Sequence, residues 1–283
     1  MMFFKLWKHD LDYGLLRKMV FYVLLGFGQA FLFCRGFSSW TAAMSSIPDV
    51  GELTETFGNH LLYLFQGIDE YIPSPDEPFD FPSMWMLVFL CGNLLTLTYP
   101  LRDLEGIGQQ ILVRSGRREY WWLAKCGWEI VSSFAYLLML ALGVLSYCLV
   151  FRIPIKAEIS QRLVEVMIGW GLDRSLPQAE VWLWLLVIPL LLLIFLNLLQ
   201  LLVGLVFGPI WGFAVNGALL LLSAYWMKSF LPGNYAMFRR SIWVLIDRGM
   251  VMGNGAALLI GGSLCVIVAG GIVFHRRDIL KKE

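Results

Sequence analysis

Residues 181–227 read VWLWLLVIPLLLLIFLNLLQLLVGLVFGPIWGFAVNGALLLLSAYWM, without one charged side chain. A helix crosses a bilayer in about 20 apolar residues, so this run is too long for one crossing and suits two. Gly208-Pro209 is the place to divide it, because proline ends a helix and glycine permits a tight turn. The reading is one span over 181–207 and another over 211–227.

Outward from this stretch, the same criterion finds spans at 19–44, at 83–99 between Pro82 and Pro100, at 121–151, and at 253–274. The predicted fold is therefore an all-α membrane protein with six transmembrane helices, residues 1–18 preceding a six-span domain over 19–283. Composition agrees: 58% of the 283 residues are hydrophobic and 15% charged, against about 25% charged in a soluble domain. A net charge of +1 gives no general attraction to nucleic acid, and none is expected as a partner. Cys34, Cys91, Cys126, Cys148 and Cys265 sit in or beside apolar runs and form no CxxC pair. The three histidines, His9, His60 and His275, are too scattered for a metal site.

Basic residues flanking spans mark the cytoplasmic side. With the N-terminus inside, the inner segments hold 13 of the 22 basic and 8 of the 21 acidic residues, a net +5, and the outer segments a net −4. Both termini are thus expected in the cytoplasm of a multi-pass plasma-membrane protein, bacterial in character. Ahead of the first span, Phe4, Trp7, Leu11 and Leu15 recur at helical spacing with Lys5, Lys8, Asp12 and Lys18 on other faces. That pattern predicts an amphipathic helix lying in the membrane interface and entering the first span at a bend.

The outer segments have their own pattern. From Gly36 to Leu101 there is no lysine or arginine but eight acidic residues, Asp49 to Asp80. Val50, Leu53, Phe57, Leu61, Leu64 and Ile68 step by three or four, as in an amphipathic helix. Ile155, Ile159, Leu163, Val166, Met167 and Trp170 repeat the idea. Segments 48–82 and 152–180 are expected to pack into a small helical cap; lying on the outer leaflet is the alternative. Residues 228–250 contain Ile242 to Ile246, an apolar piece too short to span, and predict a re-entrant or interfacial helix pair.

The central inner segment runs from Leu101 to Lys125, RDLEGIGQQILVRSGRREYWWLAK after Leu101, and predicts a short helix from Leu104 to Val113. The whole layout resembles the ABC type-2 permease family: an amphipathic elbow, two spans, a short coupling helix, four more spans and a re-entrant outer hairpin before the last. Asp103 and Glu105, then Arg114, Arg117 or Arg118 and Lys125 carry the resemblance, with the basic exit at His275, Arg276, Arg277 and Asp278. It implies that Asp103, Leu104, Glu105, Gln109, Arg114, Arg117 and Arg118 dock onto a separate ABC ATPase present in two copies. The long outer segments further resemble exporters of the phenol-soluble-modulin or antimicrobial-peptide kind.

The chain lacks the chemistry of an enzyme. There is no GxxxxGK[ST] loop to cradle phosphates, so no cofactor is expected on this chain, and ATP with Mg belongs to the partner subunit. No HExxH occurs and no histidine lies within a span, which removes an intramembrane metalloprotease. Lys125 and Glu129, one helical turn apart, are expected to pair with each other near the inner interface. Asn93, Asn197, Gln200 and Asn216 are expected to bond between helices. Gly253, Ala257 and Gly261 form a small-residue stripe suited to close helix packing, within the chain or against a second copy or a homologous permease. The resulting expectation is the transmembrane subunit of an ATP-driven exporter that moves amphipathic peptides in contact with membrane lipid. The alternatives are a lipid, a lipid-linked glycan or a hydrophobic drug as substrate, or an assembly or sensor protein that transports nothing.

Overall fold

Apolar length decides the main elements. The computed structural model describes residues 2–74, 78–106, 108, 112, 118–172 and 174–276. Its helices are α1 (Met2–Asp10), α2 (Met19–Ser45), α3 (Phe57–Leu64), α4 (Ser83–Thr96), α5 (Tyr99–Leu104), α6 (Arg118–Val150), α7 (Gln161–Ile168), α8 (Gln178–Phe207), α9 (Pro209–Tyr225) and α10 (Met252–Arg276). The described residues form no strand, only one isolated bridge between Ser241 and Met250. Among the described residues, five stretches are long and apolar enough to cross a membrane: Leu6–Ser45, Ser83–Leu104, Arg118–Val150, Gln178–Phe207 and Met252–Arg276. The chain is thus an all-helical, multi-pass membrane protein. α9 has 17 residues, about 25 Å of helix against a hydrocarbon core of about 30 Å.

Side-chain contacts establish that the long helices alternate in direction. At one end, which carries the termini, α1, α5, the start of α6 and the end of α10 come together; Trp121 of α6, for example, stacks on Phe274 of α10 at 4.7 Å. At the far end, Trp85 of α4 and Trp184 of α8 donate to the carbonyls of Ala236 and Tyr235, at 2.9 and 2.8 Å. Between the ends, Leu24, Leu32, Phe134, Leu186 and Val268 are exposed. A surface that apolar belongs in lipid rather than water.

Short elements differ from the sequence expectation for local reasons. The helix expected across Val50 to Ile68 is confined to α3, because Thr56 caps it by accepting from Asn59 N and its hydroxyl donates to Glu158 O at 2.6 Å. α7 likewise starts at the Ser160 cap and stops at Gly169, whose φ of +88° is open to glycine. The two segments bond directly, Phe57 N to Pro154 O and Gly58 N to Lys156 O. In place of the helix pair expected at 228–250, there are 3₁₀ turns at Pro232–Ala236 and Phe238–Arg240. Arg240 explains them. Its fully buried guanidinium donates to the carbonyls of Ile68, Asp69, Ser223 and Ala224 and to Asn234 Oδ1. Two of these acceptors are the last free carbonyls of α9, so the side chain caps a helix while fastening two loops to it. Burial lowers its pKa to about 10, which leaves it charged at neutral pH.

Residues 1–18 are not one helix. α1 gives way to a π-helical turn, Leu11–Leu15, and a 3₁₀ turn, Leu16–Lys18, before α2 begins. Phe4, assigned to the apolar face by spacing, is exposed, whereas Leu6, Asp10 and Leu15 are buried. Leu15, on the face assigned by spacing, is thus buried, while in α1 the buried positions are Leu6 and Asp10. Gly14 sits within this turn, where a Cβ would lie 2.5 Å from the Tyr99 ring.

Candidate functional site

Two adjoining groups of buried polar side chains lie toward the end of the bundle that holds α1 and α5. The first centres on Lys125, whose side chain is 1% exposed. α6 carries it into the bundle opposite Asp10 at the end of α1 and Asp103 in α5. Its ammonium bonds to Asp10 Oδ1 and lies 2.7 Å from Asp103 Oδ2. The sequence expectation of a Lys125–Glu129 pair is therefore corrected: both partners come from other helices. A turn of helix brings Glu129 near, but two carboxylates converge from α1 and α5 and use the ammonium's donors.

The rest of the shell fits a cation between two acids. Tyr99 donates to Asp10 Oδ1 at 2.9 Å, and Trp121 Nε1 donates to Asp103 Oδ2 at 3.2 Å. His9 Nε2 lies 3.6 Å from Asp103 Oδ1. The Tyr99 and Trp121 rings face the ammonium at 4.8 and 5.2 Å, which adds favourable cation–π contact. Each member arises from a different constraint. Tyr99 begins α5 beside Pro100, which is acceptable in the first turn because it lacks an N–H. Asp10 is the last residue of α1, just before the π turn.

Among the expected docking residues, Asp103 is turned inward by these bonds, while Glu105 is exposed just beyond α5. Arg118 opens α6 and donates from Nη1 to His275 O at 3.0 Å. α5 ends at Leu104; most of the helix expected from Leu104 to Val113 lies outside the described residues, and Gly108 and Leu112, which are described, are helical. Gln109, Arg114 and Arg117 lie outside the described residues. The Gly253, Ala257, Gly261 stripe is exposed, and no atom lies within 4 Å of a Cβ built on either glycine. Packing inside the chain uses the opposite face of α10, where Cβ atoms on Gly255 and Gly270 would meet Tyr235 at 2.6 Å and Trp122 at 2.0 Å.

The second group lies deeper in the bundle. Asn93 donates to Asn197 Oδ1 at 2.7 Å, and Asn197 Nδ2 donates to Ser133 Oγ at 2.8 Å. Gln200 Nε2 donates to Asn93 O at 2.9 Å, capping the C-terminal turn of α4. Asn216 Nδ2 of α9 donates to Leu196 O at 2.7 Å. These amides do bond between helices, but as a gathered network rather than the isolated groups expected from spacing. Asp10 was the member sequence reasoning missed, because an acid in a basic amphipathic segment reads as solvated. Comparison with family models, with curated proteins and with solved structures found no match.

Proposed function

We propose that this chain is the membrane subunit of an ATP-driven exporter, with α1 as its inner elbow and the segment after α5 as the dock for a separate ATPase. The Asp10–Lys125–Asp103 cluster carries the reading. It ties the elbow, the entry to the docking segment and the third long helix into one buried unit. A push on that segment therefore reaches α1 and α6 together, which is what a subunit driven from outside the membrane requires. In this reading α9 is also a crossing, the fifth of six. The termini lie in the cytoplasm, as the surplus of basic residues on that side supports, and the membrane is the plasma membrane of a bacterium.

The far end, with α3 and α7 joined and fastened by Arg240, serves as an external cap in a region rich in acidic residues. Amphipathic peptides are the substrate class that best fits apolar walls below an acidic exit. The exposed small-residue stripe of α10 suits a second copy of the chain or a homologous permease. ATP and Mg act on the ATPase, and this chain performs no hydrolysis of its own. The test is co-expression with the ATPase from its own genome, followed by co-purification and hydrolysis assays in nanodiscs. Expected are a stable complex, no hydrolysis by the chain alone, and loss of the complex in Glu105→Lys. A wild-type chain that binds no ATPase, with no export phenotype on deletion, overturns the reading.

A further inference from the structure

Glu129 is the group the sequence reading left misassigned. It lies four residues beyond Lys125 in α6 and is 1% exposed, yet the lysine's charge is engaged by Asp10 and Asp103. Three buried or nearly buried carboxylates thus share one ammonium, and Glu129 is left without a cation bonded to it. Its Oε2 has no hydrogen-bond partner. The same is true of Gln200 Oε1, on a side chain 3% exposed, and of Asn93 Oδ1 on a fully buried one. Of these, Glu129 and Gln200 line one cavity, and Thr96 bonds the Glu129 carboxylate, while the hydroxyls of Tyr22 and Ser132 are also unpartnered in the same buried region. Two unmet acceptors facing one cavity carry a desolvation cost that a positive charge or a proton between them removes.

Space exists for it. A cavity of about 10 Å³ lies between α4, α5, α6 and α8, lined by Thr96, Pro100, Leu101, Glu129, Gln200 and Leu201. That is the room a single water-sized body occupies. The helix ends there too: α4 stops at Thr96 and α5 starts at Tyr99, and the C-terminal turn of a helix presents carbonyl oxygens and the negative end of its dipole.

We propose that Glu129, Gln200 and Thr96 form a buried site for one small monovalent cation. Its chemistry is a single positive charge met only by oxygen, supplied as sodium or as a proton that the Glu129 carboxyl carries and donates to Gln200 Oε1. The titratable groups around it are Lys125 and Cys126 on α6, Tyr22 on α2, Asp10 and His9 on α1, and Asp103 and Tyr99 on α5; α4 and α8 face it with amides and a hydroxyl. The site does not depend on the exporter reading: it stands or falls with the purified chain.

The experiment uses the full chain in nanodiscs with two readouts. One is the thermal midpoint in sodium chloride against choline chloride at equal ionic strength and fixed pH. The other is the infrared carboxyl band on a pH step. A sodium-dependent rise that disappears in Glu129→Gln identifies the metal ion as the ligand. No sodium dependence, together with a protonated-carboxyl band that disappears in Glu129→Gln, identifies the proton. Gln200→Leu serves where Glu129→Gln fails to fold. It keeps the carboxylate and removes one acceptor, and is expected to weaken sodium affinity by about tenfold or to shift the carboxyl band. Midpoints indifferent to sodium and a spectrum without a band sensitive to Glu129 or Gln200 overturn the proposal.

Discussion

Lys125 is worth more to this molecule than either of its acids, and the reason is arithmetic of charge. Removing one carboxylate leaves a one-to-one pair, whereas removing the lysine leaves Asp10 and Asp103 facing each other without a counter-ion. Breaking a buried pair from one side typically costs about 3–5 kcal/mol, most of it from the charge left behind. Lys125→Met is therefore expected to lower the thermal midpoint in detergent well below that of Asp10→Asn, which keeps the Asp103 contact at 2.7 Å. Equal losses in the two variants would mean that the cluster is not organised around the lysine. The sequence shows Lys125 and Glu129 at helical spacing and nothing more. Asp10 lies 115 positions from Lys125, and their meeting depends on the π turn that swings α1 back against α6.

Elements were legible in proportion to their apolar length. The boundaries of α2, α6, α8 and α10 follow the long apolar runs closely, since a 25-residue apolar segment has no alternative to helix inside a bilayer. The short outer elements were not legible, because caps and buried polar side chains override periodicity over seven or eight residues. The packing face of α10 also escaped the sequence, which offers two glycine series and does not say which one meets the bundle. Gly270→Val is expected to destabilise by about 1–3 kcal/mol through overpacking against Trp122. Gly261→Val, with open space around it, should leave the monomer's midpoint unchanged. The reverse order would place the other face inward.

At the far end Glu55 joins α2 to α3. Its Oε2 accepts from Ser38 Oγ at 2.8 Å and lies 2.9 Å from His60 Nε2. Burial pushes the carboxyl up, but hydrogen bonds from His60 and Ser38 outweigh it and hold its pKa below the ordinary 4.5. The unfolded chain then binds this proton more readily than the folded one. The contribution to stability is complete above pH 4.5, and it declines as pH falls through 4.5 and on through the lower folded value. Unfolding midpoints measured between about pH 6 and pH 3 should show this acid loss, and Glu55→Gln should remove that part of the slope. An unaltered slope in the variant would assign the loss to other carboxylates.

For the whole molecule, the exporter reading asks how a force applied outside the bilayer would reach the far end. The inner cluster joins α1, α5 and α6, while Gln29 of α2 bonds both Tyr136 of α6 and Leu87 O of α4, and Arg240 ties α9 to the far-end loops. Helices connected at both ends by buried polar bonds move as units, because each intermediate position would leave an acceptor or donor unmet. Docking and transmission should then separate by mutation. Glu105 is exposed and touches the ATPase in the exporter reading, so Glu105→Lys is expected to weaken co-purification. Asp10 is buried beneath that surface rather than on it, so Asp10→Asn should retain the ATPase and its basal hydrolysis. It should nevertheless lose much of the stimulation by amphipathic peptide, since the elbow is then held by hydrogen bonds without the ionic tie. The measurement is hydrolysis in nanodiscs with and without peptide, alongside pull-down of the ATPase. Full stimulation in Asp10→Asn would show that α1 is a passive anchor and that the signal travels through α6 alone.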